Sequence, residues 1–201
     1  NIWPNTSWTP HGMSVFLGAY LGPLFAERHP DVELWLGTLN TDRLDHVDYI
    51  MNSKAGKYIK GAGFQWEGKD LIGRVFKKYP QLTLMQTENE CGGGEANWGS
   101  AEHSFNLVKK YLEGGASIYT YFNMVLQDEC VSSWGWKQNT LVIVDSKTKT
   151  AKYTPEFYMF KHVSHYVQPG AHKIKLMGNG DDMLAFRNPD GSTVLVVVNK
   201  E

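Results

Sequence analysis

The chain has 201 residues, with 20 Lys and Arg against 21 Asp and Glu, so its net charge is −1. This balance gives no basic surface for a nucleic-acid partner or an anionic membrane. No apolar run approaches the roughly 18–20 residues that a transmembrane segment needs. Hydrophobic residues make up 42% of the chain, enough for a folded core, and two cysteines exclude a disulfide scaffold or a four-thiolate zinc site.

The first half of the chain alternates strand and helix patterns. A loop to Gly12 precedes a helix from the N-cap Ser14 to Arg28. In chain order we then predict a strand over 32–39, a helix capped by Thr41, a strand over 59–66, a helix over 70–79, a strand over 82–87, a helix from the N-cap Ser100 to Leu112, and a strand over 116–125. Four such units imply parallel strands joined by right-handed crossovers.

The second half departs from this rhythm. A long Trp-rich loop over 127–139 precedes a short strand over 141–144. A helix follows with Thr154 as N-cap, Pro155 at the first position and Glu156 in the first turn. The remaining pattern predicts antiparallel strands over 173–177, 183–187 and 193–199, with a turn at 189–191 between the last two.

Four strand–helix units are compatible with an open doubly wound sheet or with half of an eight-stranded barrel. An open sheet that binds a dinucleotide would carry G-x-G-x-x-G after its first strand, and the sequence has none there. The triplet Gly92–Gly94 lacks the Lys-Ser/Thr ending of a phosphate-binding loop, so we interpret it as a loop that lets backbone approach a ligand. A half-barrel would need its other half to cover two strand edges.

Reactive residues of either architecture are expected at the carboxyl ends of the strands. Glu88 lies at the end of the third strand, and Glu90 follows two residues later in the Gly-rich loop. A carboxylate fixed at a strand end among aromatic residues suits the nucleophile of a glycosidase. The alternative at this point is a solvated acidic loop.

Other strand ends combine aromatic and amide side chains, which suits sugars because their C–H faces stack and their hydroxyls hydrogen-bond. Packing of some of these rings in the core is the alternative. The candidate substrate-binding residues are Gln65 and Trp66 after the second strand, Phe122 and Asn123 after the fourth, and Trp134 and Trp136 in the loop beyond.

The remaining candidates are weaker. His162 and His165 could share a helix face but have no acidic or Cys partner, so we predict packing roles and no metal site. Cys91 and Cys130 follow neighbouring strands, which leaves both a disulfide and two free thiols open.

Three segments resemble glycoside hydrolase family 30, which contains the glucosylceramidases and related β-glycosidases. They are Leu84–Gly92 (LMQTENECG), Tyr121–Asp145 (YFNMVLQDECVSSWGWKQNTLVIVD) and Tyr153–Gly170 (YTPEFYMFKHVSHYVQPG). The resemblance implies an α/β fold in which a (β/α)8 TIM barrel is joined to a β-sandwich side domain. Residues 1–167 would be the second half of the barrel, and residues 171–201 would be strands of the sandwich.

The same resemblance implies site residues. The family's nucleophile, a Glu preceded by Thr or Ser at the end of barrel strand seven, falls on Glu88, with Glu90 as the fallback. Gln65-Trp66-Glu67 stands where the family often has His-Trp-Tyr, which leaves Trp66 as the sugar contact. The acid/base Glu of an Asn-Glu pair would lie just upstream of Asn1. We therefore expect the isolated chain to be inactive and to need the N-terminal half of the barrel as its partner.

The function implied is that of a retaining β-glucosidase, glucosylceramidase-like, acting on a carbohydrate or glycolipid in sphingolipid metabolism. Neither a metal nor an organic cofactor is implied, and export from the cell is expected. Two alternatives stay open. One is an endo-β-1,6-glucanase or another β-glycosidase of the family, and the other is a non-catalytic carbohydrate-binding relative.

Overall fold

The computed structural model describes residues 7–90, 92–178, 180 and 182–199. By their contacts the residues fall into two compact units. The first contains the chain up to Glu88 together with Glu113–Thr120, and the second contains residues 89–112 and the chain from Tyr121 onward. The domain limits expected from the sequence, 1–167 and 171–201, stay a prediction.

The first unit holds a four-stranded parallel sheet in the order β1-β2-β3-β4, which confirms the predicted parallel strands. Its elements are α1 (Pro10–Val15), a π-helical segment (Phe16–Leu21), α2 (Gly22–Arg28), β1 (Leu34–Leu39), α3 (Leu44–Met51), a 3-10 turn (Gly56–Tyr58), β2 (Ile59–Gln65), a second 3-10 segment (Trp66–Asp70), α4 (Ile72–Lys78), β3 (Thr83–Glu88) and β4 (Ala116–Tyr119).

The register brings the carboxyl ends of these strands to one edge of the sheet. Leu39 pairs with Phe64, and Gln65 pairs with Glu88. Strands and helices of this unit share an apolar core because their inward side chains are almost fully excluded from solvent. Its most buried members are Val47, Ala62, Phe64, Leu71, Ile72, Val75 and Leu84.

The predicted start of the first helix is wrong. Thr9 caps α1, because Pro10 occupies the first helical position and the Thr9 hydroxyl accepts a hydrogen bond from Gly12 N at 3.0 Å. Ser14 lies inside the helix, where its hydroxyl donates to the carbonyl of His11 at 2.8 Å.

Two further helix starts also differ from the prediction. Thr41 is not an N-cap, since α3 begins after Arg43, whose N–H donates to the Thr41 hydroxyl at 3.2 Å. Ser100 lies inside the helix that begins at Trp98, and its N–H donates to Asn97 Oδ1 at 2.9 Å. Asn97 is the competing cap near Ser100, whereas the N-cap position of α3 is Arg43, whose side chain makes no capping hydrogen bond. Residue type alone therefore does not identify either boundary.

The fourth strand is shorter than the predicted span of 116–125. Gln86 Oε1 accepts from Thr120 N at 2.8 Å, and the Thr120 hydroxyl donates to the carbonyl of Thr87 at 3.1 Å. A side chain therefore takes the backbone donor that would have continued the ladder, and β4 ends at Tyr119. Val125 belongs to a different sheet.

In its described residues the second unit contains two three-stranded sheets and two helices. In one sheet, of order β5-β6-β7, β5 is parallel to β6 and β7 is antiparallel to it; in the other, of order β10-β9-β8, all pairs are antiparallel. The elements are α5 (Trp98–Glu113, whose last residue falls in the first unit), β5 (Val125–Gln127), β6 (Val142–Val144), β7 (Ala151–Tyr153), α6 (Pro155–Ser164), β8 (His172–Ile174), β9 (Met183–Arg187) and β10 (Thr193–Val197).

The structure confirms two local signals in this unit, the N-cap of α6 and the turn between β9 and β10. The Thr154 hydroxyl accepts from Phe157 N at 3.4 Å, which confirms the predicted N-cap of α6. Gly191 has a φ of +84° in the turn between β9 and β10, a conformation that favours glycine. The strand β7 was not predicted. In the described part of the chain, no helix combines the length and apolar character that crossing a bilayer requires.

Candidate active site

Glu88 and Trp66 meet at the carboxyl edge of the parallel sheet. Glu88 is the last residue of β3, and Trp66 directly follows β2. The indole Nε1 of Trp66 donates a hydrogen bond to Glu88 Oε1 at 2.9 Å. Both side chains are half-buried, so the carboxylate is oriented by the protein yet reachable from solvent.

The backbone at Trp66 is unusual for a bulky residue. Its φ is +46°, in the left-handed region that costs a non-glycine residue free energy. The next residue is tied down, because Glu67 N donates to Asn40 Oδ1 at 3.2 Å. This turn directs the indole N–H at the carboxylate. The sequence predicted a sugar contact for Trp66, whereas the structure shows a residue that orients Glu88, and the stacking role stays a prediction.

Threonine hydroxyls support the strand end next to Glu88. Thr87 Oγ1 donates to the carbonyl of Phe64 at 3.0 Å and is hydrogen-bonded to Thr38 Oγ1. On the other side, the Thr120 hydroxyl donates to the Thr87 carbonyl at 3.1 Å. Contacts from β1, β2 and the end of β4 therefore fix the residue that precedes Glu88.

Gln65 is the ladder partner of Glu88. The register between β2 and β3 shifts between Phe64 and Gln65, so this last pair lies beyond an irregularity in the ladder. Gln65 is half-buried beside the carboxylate, in a position compatible with the predicted substrate contact.

The other predicted substrate-binding residues lie in the second unit. Phe122 is exposed, and Asn123 donates from Nδ2 to Gln138 Oε1 at 2.9 Å, so part of the Asn123 amide is already engaged within the protein. The structure thus brings Gln65, Trp66 and Glu88 together, while the binding roles of Phe122 and Asn123 stay predictions.

The predicted Trp-rich loop is a hairpin. Val131 and Lys137 form an antiparallel bridge, and Ser132 N donates to the Trp136 carbonyl at 2.7 Å. Trp134 and Trp136 lie at its tip with 58% and 44% of their surface exposed. Two exposed indoles on a hydrogen-bonded hairpin are compatible with the predicted platform for sugar rings.

The Gly-rich loop packs against a buried polar pair. Gly94 N donates to Asn139 Oδ1 at 2.8 Å, and Asn139 Nδ2 donates to Glu156 Oε1 at 2.6 Å. Gly92 has a φ of +64°, and a Cβ on it would lie 2.6 Å from the Asn139 carboxamide. The triplet is therefore seated on Asn139, and its role in letting backbone approach a ligand stays a prediction.

Glu90 lies beside a cavity of about 330 Å³ in the second unit. The cavity lies between the Gly-rich loop, the first turns of α5 and the segment at Tyr121 and Asn139. Its lining residues include Glu90, Glu95, Asn97, His103, Tyr121 and Asn139. Glu95 is held in the loop because its Oε2 accepts from Gly93 N at 2.9 Å, and hydrogen bonds from backbone N–H groups lower the pKa of its carboxyl.

Among the described residues, no group of three or more His, Cys, Asp or Glu side chains could hold a metal ion. His165 makes an edge-on ring contact with Tyr166, with centroids 4.8 Å apart. Cys130 is buried, and burial raises the pKa of its thiol. Cys91 lies outside the described residues, so the question of a disulfide stays open.

Sequence reasoning did not predict the hydrogen bonds of five residues in the two units. Thr38 and Asn40 lie at the carboxyl end of β1, so the rule already applied to the other strand ends could have found them. Thr120 follows β4. Asn139 and Glu156 carry no local signal for their contact, because they are 17 residues apart and meet only in the folded chain.

Comparison with known proteins relates the chain to glycosidases. Residues 170–201 match the model of the glycosyl hydrolase family 30 beta sandwich domain. The lysosomal acid glucosylceramidase of Mus musculus is 24% identical over 96% of this chain and 41% of its own length. The endo-1,6-beta-D-glucanase neg1 of Aspergillus fumigatus is 24% identical over 90% of this chain and 38% of its own length.

Solved structures share the fold. SrfJ from Salmonella typhimurium superposes with a TM-score of 0.77 at 22% identity, covering 96% of this chain and 46% of that one. The family 30 subfamily 8 xylanase Xyn30A from Clostridium acetobutylicum superposes with a TM-score of 0.68 at 15% identity, covering 93% of this chain and 44% of that one. The chain is thus similar to the C-terminal part of glycoside hydrolase family 30 proteins. Its α/β fold, a parallel sheet followed by antiparallel strands, is the fold predicted for that part.

The chain spans 38–41% of the length of the curated family 30 relatives discussed here. These relatives are glycoside hydrolases by name, so the chain is similar to proteins of a hydrolase family. The activity of the whole protein, its substrate and its catalytic residues are matters for proposal.

Proposed function

We propose that this chain is part of a retaining β-glycosidase of the glucosylceramidase type, with Glu88 as its nucleophile. The observation that carries the proposal is the Glu88 carboxylate at the end of β3, held by the indole N–H of Trp66 at 2.9 Å. Barrel enzymes place reactive groups at this end of their strands, and a nucleophile needs a fixed direction of attack.

In the proposed mechanism Trp66 and Glu88 have different tasks. The indole N–H holds Oε1, so Oε2 is the oxygen that we expect to attack the anomeric carbon. A bond forms between Oε2 and that carbon as the bond to the leaving oxygen breaks, and the leaving oxygen takes a proton from a second carboxylic acid. Water, deprotonated by the same second group, then releases the sugar from Glu88 with retained configuration.

The second carboxyl group should lie about 5–5.5 Å from Glu88, the separation typical of retaining enzymes. We propose that it comes from a part of the protein outside these 201 residues. The lengths of the relatives support this, because each of them is more than twice the aligned span. The N-terminal half of a barrel is thus the partner that the proposed reaction requires.

For the substrate we propose a β-glucoside with a lipid aglycone, as in sphingolipid metabolism, reached by an exported enzyme. Support comes from the name of the mouse relative, a lysosomal acid glucosylceramidase. The exposed Trp134 and Trp136, with Phe122 and Asn123, are the proposed contacts beyond the reacting bond.

A β-1,6-glucan is the second candidate substrate. The Aspergillus relative is named an endo-1,6-beta-D-glucanase, and the solved endo-beta1,6-glucanase BT3312 gives a TM-score of 0.72 at 19% identity, covering 96% of this chain and 47% of that one. Stacking indoles suit a glucan chain as well as a single glucoside.

The proposal is tested with the intact protein on glucosylceramide and on a linear β-1,6-glucan. Proton NMR of the first-formed sugar reads the anomeric configuration before mutarotation. We expect the β-anomer, and release from one substrate in clear preference to the other selects between the two candidates. An α-anomer as first product would contradict the retaining mechanism, and binding without hydrolysis of either would favour a carbohydrate-binding protein.

A further inference from the structure

The N-terminus of α6 anchors the segment that ends the Trp-rich hairpin. The Thr154 hydroxyl donates to the carbonyl of Thr140 at 2.7 Å. Two residues after Thr154, the Glu156 carboxylate accepts a hydrogen bond from Asn139 Nδ2 at 2.6 Å. All of these side chains are buried, and Glu156 is fully excluded from solvent. Two consecutive residues, 139 and 140, are therefore held by one helix start.

Asn139 links the start of α6 to the Gly-rich loop. Its carboxamide has one donor end and one acceptor end, and both are used: Nδ2 faces Glu156, and Oδ1 accepts from Gly94 N at 2.8 Å. Because Glu156 Oε1 accepts, the amide cannot flip without losing both contacts. Glu156 thus selects the orientation in which Asn139 can bind the loop.

The loop itself is shaped to this amide. Gly92 and Gly94 both have positive φ, +64° and +87°, and the Cα of Gly92 lies against the Asn139 carboxamide where no Cβ would fit. Gly92 follows Glu88 by only four residues. Along the chain the proposed nucleophile is therefore followed closely by a loop that hydrogen-bonds to Asn139.

We infer that Asn139 and Glu156 are positioning residues, which hold the Gly92–Gly94 loop in the conformation that the site at Glu88 requires. Neither residue is given a substrate contact in this inference, since the Asn139 carboxamide is hydrogen-bonded at both ends and Glu156 is fully buried. Their effect passes through the backbone of the loop. The inference rests on the proposed function for its catalytic consequence, whereas the contact with the loop can be measured without any substrate.

The test uses the intact protein and four variants. Asn139→Ala and Glu156→Ala remove the two links. Asn139→Asp keeps the acceptor for Gly94 N but places a second carboxylate against Glu156. The double variant Asn139→Asp with Glu156→Gln reverses the polarity of the pair, because the Gln amide can donate to the Asp carboxylate. It serves as the rescue.

Hydrogen exchange of the peptide that covers Gly92–Gly94 is the first readout, and kcat/KM is the second. We expect amide exchange in this peptide to be about tenfold faster or more in the three single variants, because a buried polar group then loses its hydrogen-bond partner. The double variant should return towards wild type. Exchange in β9 serves as the control for global folding, and kcat/KM should fall and recover in parallel with the loop.

Unchanged loop exchange in the single variants would overturn the inference, as would a failed rescue. Faster exchange with unchanged kcat/KM would overturn it too, because the loop would then not matter for the site. If wild-type protein itself lacks glycosidase turnover, it is the proposed function that fails, and loop exchange alone then decides whether the pair holds the loop.

Discussion

Glu88 and Glu156 are two carboxylates that each accept a hydrogen bond from a neutral donor, yet their surroundings differ. Glu88 lies half-buried at a strand end with the Trp66 indole N–H on Oε1. Glu156 is fully buried at a helix start with the Asn139 amide on Oε1. Exposure decides what each can do: the first can meet a substrate, and the second can only act on its protein neighbours.

The largest expected effect comes from the nucleophile itself. Glu88→Gln removes the attacking oxygen but keeps an acceptor for Trp66, so kcat should fall on the order of 10⁴–10⁶-fold. Glu90→Gln is the matched control two residues away, and we expect less than about tenfold from it. Steady-state kinetics of the intact protein on an aryl β-glucoside measures both. A larger loss at Glu90 would move the reactive carboxylate there.

Trp66→Phe should have an intermediate effect. It deletes the indole N–H that orients Glu88 and leaves an aromatic ring, so kcat/KM should fall by about 10- to 150-fold, the loss expected for a hydrogen bond to a charged group. Trp35→Phe is the matched control, because Trp35 Nε1 donates to the exposed Glu33 carboxylate at 2.9 Å, away from β3. Equal kcat/KM for the two variants would mean that the hydrogen bond from Trp66 to Glu88 matters no more for catalysis than the one from Trp35 to Glu33.

Glu156→Ala should lower the free energy of unfolding by about 1–3 kcal/mol, because it leaves the buried Asn139 amide without its acceptor. Glu156→Gln keeps that acceptor and should cost less. Urea unfolding of the intact protein at neutral pH measures the difference. Equal losses in the two variants would mean that the hydrogen bond to Asn139 contributes little.

The stability of wild-type protein and that of the Glu156→Gln variant should depend differently on pH. Burial raises the pKa of the Glu156 carboxyl above its ordinary value of 4.5, and the neighbouring Glu95 carboxylate adds to this, while hydrogen bonds to its own backbone N–H, Asn139 and Thr154 oppose it. A raised pKa means that the native state favours the neutral form. Its contribution to stability is complete below pH 4.5 and is lost as the pH rises through the raised value.

Glu156→Gln cannot ionise, so its stability relative to wild type should increase as the pH rises above 4.5. Thermal unfolding between pH 4 and about 8 provides the measurement. A constant difference across this range would contradict a buried carboxyl with a raised pKa.

Substitution of Asp48 should have a smaller effect on stability, and its pH dependence should be opposite to that of Glu156. Lys78 Nζ and Tyr79 Oη donate to its two oxygens at 2.7 Å each, which lowers the pKa of the carboxyl. Asp48→Asn should therefore cost about 1–2 kcal/mol at neutral pH. That cost should disappear as the pH falls through the lowered pKa, because protonation then removes the same contribution from wild type.

Asp45→Asn is the matched control for Asp48. Its partner Arg43 lies 2.6 Å away, but both side chains are exposed, so water and salt screen the pair. No measurable change in stability is expected. A destabilisation as large as that of Asp48→Asn would mean that exposure is not what separates these carboxylates.

The sequence predicted the elements whose signals are local. Hydrophobic periodicity located β1, β2 and β3, and Thr154-Pro155-Glu156 marked the start of α6. Helix starts at Ser14 and Ser100 were wrong because a competing cap lies a few residues upstream, at Thr9 and Asn97.

The features that the sequence did not predict depend on tertiary hydrogen bonds. The fourth strand looked long because Tyr121, Phe122 and Val125 suit a strand, yet the Gln86 side chain takes the N–H of Thr120 and ends the ladder. Likewise Glu156 was predicted as a first-turn acid, which is correct, but its bond to Asn139 depends on a contact that no local pattern contains.

Covalent trapping of the intact protein tests the central claim most directly. A 2-fluoro β-glucoside with an activated leaving group needs little acid assistance, so the experiment isolates the nucleophile. Peptide mass mapping of the labelled protein should place the sugar on Glu88, within the segment 84–92. Label on Glu90 or on another residue, or a folded protein that turns over glucosides but takes no label, would contradict Glu88 as the nucleophile.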